Sequence, residues 1–275
     1  MLAADPGTPA ELLALAVEVA EEAATVIARE RATGVEVADT KSSVTDVVTR
    51  VDRVAEQLIH DRLSTARPGD AFVGEEGGAD EGASGVRWIV DPIDGTVNFL
   101  YGLPRYAVSI AAEVDGTVVA GVVRDVPSGT TYTATLGGGA FRDSDRLAVR
   151  GPAPMAERLV LTGFSYRPEV RRLQAEGVAR LLSHVRDIRR IGSAALDLCH
   201  VAEGSADGYV EEGVHLWDHA AAGLVAREAG ARTRLLTGVG GLSLMVCAPA
   251  HGFDELFGVV SEVGLVGDGS AAPEE

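Results

Sequence analysis

Lysine is almost absent from this chain of 275 residues: of its 24 basic residues only Lys41 is a lysine, and the others are arginine. Basic charge of any kind is scarce against 41 acidic residues, and the resulting net charge of -17 argues against a nucleic-acid backbone as the main partner. Cysteine is scarce as well. Cys199 and Cys247 stand far apart without metal-type spacing, which excludes a disulfide framework and a zinc-finger site and leaves two small core residues. No apolar run approaches the ~18 residues of a membrane-spanning helix. The opening "MLAADPGTPAELL" lacks the basic start and apolar centre of a secretory signal, so a cytoplasmic location is expected.

What is present is a core-forming globular composition, 46% hydrophobic, with a legible order of elements. "TPAELLALAVEVAEEAATVIARE" opens with a capping box, Thr8 to Glu11, and Pro9 at the first helical position, predicting a helix over about 9–31. Val47, Val51, Val54, Leu58 and Ile59 form one stripe of a second helix expected from about Thr45 to Leu63. Strand texture follows. "YAVSIAAEVDGTVVAGVVRDV" reads as a hairpin about Asp115-Gly116, and "TTYTATLGGGAFRD" continues an antiparallel sheet. Its three glycines lie between strands with no following Lys-Ser/Thr, so they read as a turn or bulge rather than a phosphate loop. "RGPAPMAER" at 150–158 marks the expected boundary between an N-terminal α+β domain, 1–150, and a C-terminal α/β domain, 151–263, in which strands and helices alternate. The small, acidic tail 264–275 is expected to be disordered.

The chemistry concentrates in "FVGEEGGADEGASGVRWIVDPIDGT". Two apolar runs, Phe72-Val73 and Trp88-Ile89-Val90, lead straight into Glu75 and Glu76 and into Asp91 and Asp94. Two like charges ~4 Å apart repel by about 4 kcal/mol at an effective dielectric of ~20, so converging carboxylates need neutralisation. A shared proton serves two acids. Three or more call for a hard divalent cation such as Mg²⁺ or Mn²⁺. In "DPIDGT" Pro92 restricts the backbone and Gly95 permits a tight turn, so Asp91, Asp94, the Ile93 carbonyl and the Thr96 hydroxyl can converge; an Asp-rich turn capping a helix is the other reading of that hexapeptide. In "YVEEGVHLWDHAAAG", Glu211 and Glu212 end a strand and Asp218 opens an Ala-rich helix, where by itself it reads more readily as a helix cap than as a ligand.

In this order and spacing, "DTKSSVTDVVTRVD", "FVGEE", "WIVDPIDGTVNF" and "VEEGVHLWDHAAAG" resemble the inositol monophosphatase family of Mg²⁺-dependent, lithium-sensitive phosphatases, from the first helix to about residue 262. The resemblance implies the layered αβαβα sandwich of the inositol monophosphatase and fructose-1,6-bisphosphatase type. It implies two or three Mg²⁺ ions per subunit: Glu75, Asp91, the Ile93 carbonyl and Thr96 around one, Asp91, Asp94 and Asp218 around another, and Glu76 as an outer or third-metal contributor. A metal-activated water would attack the phosphorus, oriented by a Thr96–Asp52 pair. Asp52 read without the resemblance is a solvated acid on a helix surface. Lys41, in the loop that also carries Asp46, is expected near the phosphate, with a solvated lysine as the other reading.

The resemblance also bears on the substrate. Gly95 and Thr96 would offer amides to phosphate; Gly192, Ser193, Ala194, Glu211 and Asp218 would approach the hydroxyls of an inositol. "VNFLYGLPRYAVSIA" fits the inositol monophosphatase branch, so myo-inositol 1-phosphate is the expected substrate and a homodimer the expected assembly, with no nucleic acid and no membrane as partner. Histidinol phosphate and fructose 1,6-bisphosphate are the alternative substrates. A regulatory protein that binds a metal or a sugar phosphate without catalysis is the non-enzymatic alternative. His219 departs from the family pattern, either meeting a second anionic group at the pocket rim or facing the interior.

Overall fold

The computed structural model describes residues 6–33, 37–40 and 47–267, the segment 37–40 and Val47 by their backbone alone. Lys41, Thr45 and Asp46 lie outside the described residues, as does 268–275 of the tail. Helix α1 (Pro9–Thr33) begins at the box read from the sequence: Thr8 N–H donates to Glu11 Oε2 at 2.8 Å and Glu11 N–H to Thr8 Oγ1 at 3.2 Å. Strands β1 (Val37–Thr40) and β2 (Val47–Thr49) form a small antiparallel ribbon. Helix α2 (Arg50–Ala66) therefore starts about five residues later than expected. The reason is local. Thr49 holds an extended backbone and caps the helix through Oγ1, while the Asp52 carboxylate accepts Thr49 N–H at 2.9 Å, completing a capping box that fixes the first turn there.

Eight strands follow in one mixed sheet: β3 (Ala71–Gly74), β4 (Ala79–Asp80), β5 (Val86–Asp94), β6 (Ala107–Val114), β7 (Thr117–Asp125), β8 (Thr131–Thr135), β9 (Gly139–Arg142) and β10 (Asp145–Arg146), with the short helix α3 (Thr96–Tyr101) after β5. Their spatial order is β10-β9-β8-β7-β6-β5-β3-β4, antiparallel except where β3 runs parallel to β5. Asp115 and Gly116 both take positive φ at the β6–β7 turn, the conformation that matches a two-residue hairpin to strand twist. The triple glycine forms the β8–β9 turn, whose Gly137 and Gly139 amides donate to the Glu228 carboxylate.

The second sheet comprises β11 (Leu159–Thr162), β12 (Asp187–Arg189), β13 (Gly208–Glu212), β14 (Ala231–Thr237) and β15 (Ser243–Pro249), in the order β12-β11-β13-β15-β14. Helices α4 (Pro168–Leu181), α5 (Ala194–Ala202), α6 (Leu216–Glu228) and α7 (Phe253–Glu262) connect or follow its strands. Strand alternation sorts the core into three seams. Trp88, Val90 and Ile110 face α1 and α2, while Ile89, Ala107 and Ala111 face the other way onto α5 and α6. From the opposite side Tyr209, Met245 and Cys247 close on the same two helices, and Val210, Leu244 and Val246 turn outward to Phe253 and Leu256 of α7. The layers are αβαβα, as the resemblance implied. Both cysteines are free and buried. No described helix is long and apolar enough to cross a membrane.

Candidate metal centre

The carboxyl ends of β3 and β5 and the start of α6 meet at one place. One carboxylate oxygen each from Asp91, Asp94 and Asp218 lies within 4.8 Å of the others. Glu75, immediately after β3, lines the same cavity of 430 Å³, together with Ile93, Gly95, Thr96 and, from the second sheet, Glu211. At such separations each ionised pair repels by about 3 kcal/mol at an effective dielectric of ~20. The consequence is visible in the acidities. Burial, then the charges of Glu75, Asp94 and Asp218, raise Asp91 well above the carboxylate range; burial and the charges of Glu75 and Asp94 do the same to Asp218. Asp94 is raised to about 6, its burial partly offset by hydrogen bonds. Buried, oxygen-only and crowded with negative charge, this donor set fits a hard divalent cation.

Each acid has its own mount. Asp91 Oδ1 accepts Ile93 N–H at 2.9 Å, an Asx turn that bends β5 toward Asp94. Gly95 takes φ +96°, and a Cβ there would stand 2.9 Å from Arg105 O, so the turn between β5 and α3 requires glycine. Asp94 reaches across to α5, accepting Ser193 Oγ–H at 2.5 Å, Ala195 N–H at 2.7 Å and Ala194 N–H at 3.2 Å; it satisfies amides that a helix start leaves without partners. Asp218 sits in the first turn of α6, one side-chain oxygen accepting His215 N–H at 2.7 Å. The helix-cap reading and the ligand reading of Asp218 thus coexist. Ser109 Oγ donates to Trp217 O at 3.3 Å, tying β6 to α6, and Asn98 Nδ2 donates to Arg105 O at 2.7 Å and Ile191 O at 2.9 Å, tying α3 to the segment after β12.

Asp52 is fully buried, not solvated. Its carboxylate accepts Thr49 N–H and both threonine hydroxyls, with Thr96 Oγ1 at 3.1 Å from Oδ1. Burial, joined by the charge of Glu75, lifts it to about 6. Thr96 Oγ1 also lies 3.0 Å from Ile93 O, so the pair and the carbonyl expected from the resemblance share one hydroxyl. In the same cavity Glu211 takes a hydrogen bond from Tyr209 Oη at 3.0 Å and is pushed up to about 7 by burial, against the pull of Arg190. Gly192 and Ala194 line the wall. Ser193 does not: its hydroxyl is buried and serves Asp94 and the Leu196 amide. Glu76 faces a separate depression with Arg53, Glu56 and His60. His219 is buried off the cavity lining, and burial depresses its imidazole to about 4, so of its two readings the interior one holds.

The cavity also contains residues with no pattern in the sequence. Phe164, Tyr166 and Arg167 follow β11, and Arg190 and Leu242 line the cavity with them. Arg190 stands next to the glycine-serine stretch singled out for substrate contact and carried a cationic signal in plain view. Asp197, on α5, is fully buried, and neither carboxylate oxygen has a hydrogen-bond partner among the described residues; burial, then the charges of Glu211 and Asp94, hold its acidity far down.

An αβαβα scaffold with a carboxylate centre able to hold a metal between its two sheets defines a class of metal-dependent proteins. The sequence model described as "Inositol monophosphatase family" matches residues 8–255, and the chain belongs to that family. It is 48% identical over 268 residues to inositol-1-monophosphatase SuhB of Mycobacterium tuberculosis, covering 90% of this chain and 92% of that protein. It is 39% identical over 221 residues to the Nus factor SuhB of Pasteurella multocida, covering 80% and 83%. Among solved structures, Mycobacterium tuberculosis SuhB superposes with a TM-score of 0.80 at 44% identity, covering 94% of this chain and 99% of that one. An IMPase of Thermotoga maritima gives 0.82 at 29% identity, covering 92% and 98%.

Proposed function

We propose that the chain is a Mg²⁺-dependent phosphomonoesterase that hydrolyses myo-inositol 1-phosphate to inositol and phosphate. The observation that carries this reading is the convergence of Asp91, Asp94 and Asp218 on one point in a cavity that Glu211 also lines. Glu75, Asp91, the Ile93 carbonyl, Asp94, Thr96 and Asp218 would hold two or three Mg²⁺ ions. When bound, such ions neutralise the phosphate, acidify water and steady the leaving oxygen. The chain's own groups do the rest. Asp52 draws the Thr96 hydroxyl toward itself and so aims the threonine oxygen at the cavity floor, where the pair orients the attacking water and takes up its proton. Gly95 and Thr96 offer backbone amides to the phosphate. Glu211 accepts hydrogen bonds from the polyol, with Gly192 and Ala194 as the flanking wall, while Ser193 acts through Asp94. Arg167 and Arg190 supply positive charge that an anionic substrate needs in so acidic a protein.

The deciding experiment is phosphate release from myo-inositol 1-phosphate with Mg²⁺ and with EDTA, beside histidinol phosphate and fructose 1,6-bisphosphate. Turnover of the inositol ester that EDTA abolishes supports the reading. Preference for another ester by tenfold or more in kcat/KM replaces the substrate, and release of none from any ester removes the catalytic reading. A binding role without catalysis then gains weight, since a relative 39% identical carries the name Nus factor. We read the chain as a cytoplasmic homodimer with units 1–150 and 151–263; a monomer by light scattering at micromolar concentration would remove the dimer.

A further inference from the structure

Asp52, Glu56 and His60 recur every four residues and so share one face of α2. Asp52 serves Thr49 and Thr96, and His60 Nε2 lies 2.6 Å from Asp80 Oδ2. Glu56, between them, has no part in the mechanism above, yet it is only 6% exposed. Burying a carboxylate is costly unless donors surround it. Here Oε2 accepts Glu76 N–H at 2.7 Å and Oε1 accepts Gly78 N–H at 2.9 Å. Those amides belong to the turn between β3 and β4, which begins with Glu75. Gly74 N–H closes the turn onto Gly78 O at 2.8 Å, and Glu75 N–H ties it to Val90 O of β5 at 3.2 Å. The fit is close: a Cβ on Gly74 would stand 2.3 Å from Glu56 Oε2, so glycine at 74 leaves the room that the carboxylate occupies.

We propose that Glu56 is a positioning residue, whose carboxylate clamps the 75–78 turn onto α2 and thereby fixes Glu75 at the acidic centre. This rests on the metal-centre reading of Glu75, Asp91, Asp94 and Asp218. A carboxylate suits the site because the Glu76 and Gly78 amides are both donors. A glutamine would turn its own NH₂ toward one of them and orphan that amide.

The test uses the full chain as wild type, Glu56→Gln and Glu56→Ala, with Leu63→Ala as control, a buried residue of the same helix that faces the core. Hydrogen exchange of the 74–80 segment, read without metal, reports the clamp; calorimetric titration with Mn²⁺ reports its consequence. Both Glu56 variants should exchange this segment faster and bind Mn²⁺ about 10–100-fold more weakly, the usual cost of losing a group that orients a metal ligand, with Gln the milder. Should the alanine variant fail to fold, the glutamine variant carries the test. Leu63→Ala should lower the melting temperature and leave both readouts alone. Wild-type protection in the variants, Mn²⁺ affinity within twofold of wild type, or equal weakening by Leu63→Ala would overturn the proposal. Failure of the phosphatase reading looks different: Mn²⁺ binding would follow Glu56 as expected while no ester is hydrolysed. A wild-type chain that binds no Mn²⁺ would sink the metal centre and this inference with it.

Discussion

Asp91→Asn removes one charge from the acidic centre and little else. The Asp91 oxygen that accepts Ile93 N–H has a counterpart in the asparagine amide, so the Asx turn survives. In the metal-free protein Asp91 faces Asp94 and Asp218 with oxygens within 4.8 Å, worth about 3 kcal/mol of repulsion per fully ionised pair. Burial, then the charges of its neighbours, raise the pKa of Asp91 in the folded state above its unfolded value. A carboxyl shifted this way destabilises the fold increasingly as pH climbs above the unfolded value of about 4, and fully once pH passes the folded value. Because the acids already shed part of this repulsion by holding protons, the expected gain is about 1–3 kcal/mol at pH 8, or several degrees in melting temperature. It should vanish toward pH 4. With metal the sign reverses. The rise in melting temperature on adding Mg²⁺ follows the logarithm of concentration over dissociation constant, so it should shrink, and kcat should fall by ~10²–10³ or more. The assay is a set of thermal melts at pH 5 and pH 8, each with EDTA and with saturating Mg²⁺. A metal-free variant less stable than wild type at pH 8, or one whose Mg²⁺-induced shift is undiminished, would refute the electrostatic argument.

Three further outcomes are expected. Glu211→Gln should lower kcat/KM for inositol phosphate about 10-fold or more by weakening hydrogen bonds to the polyol, while p-nitrophenyl phosphate, which has no hydroxyls to offer, changes less than about threefold in a parallel assay. Gly95→Ala should cost at least about 1–3 kcal/mol in denaturant melts, because a Cβ would meet Arg105 O in a left-handed turn; a neutral effect would mean the turn relaxes easily. The hydrogen bond to Asp80 raises the His60 pKa, so the pair stabilises the fold below about pH 6.5 and the contribution fades as pH rises through the raised value. Asp80 is half exposed, so after screening Asp80→Asn should cost no more than about 1 kcal/mol at pH 6 and nothing at pH 9; a loss independent of pH would point to packing instead.

Glu75, Asp91 and Asp94 were legible because they stand at the ends of short apolar runs, where a strand's alternation stops and the chain must turn, whereas Asp218, at a helix start, joined them only through the resemblance to the family. The order of helices and strands was legible from capping and turn residues. What hid was everything decided by contacts distant in sequence. The stripe chosen for α2 included Val54, which is 37% exposed, whereas the buried face carries Val51, Ala55, Ile59 and Leu63 beside Asp52 and Glu56. A search for apolar periodicity cannot find a face that buries carboxylates, because the donors that make such burial tolerable come from other segments. Ser193 shows the same limit: the resemblance implies a substrate contact there, and the bond from its hydroxyl to Asp94, 99 residues away, has no signal in the sequence. Phe164 and Arg167 lie in a connection without periodicity, and only the closing of the second sheet brings them to the cavity.

Helix α6 lies between the two sheets with His219 through Ala226 all buried, five of those eight residues being alanine or glycine. The same helix carries Asp218 at its first turn, while Asp91 and Asp94 ride on a sheet packed against it. Alanine side chains therefore act as shims: their thickness sets the gap between carboxylates contributed by different layers. Mg²⁺ asks for ligands at ~2.0–2.1 Å and Ca²⁺ for ~2.3–2.6 Å, a difference smaller than one methyl group. Any cation seated among Asp91, Asp94 and Asp218 would thus lie in a gap whose width depends on the packing of these small residues as well as on the acids themselves.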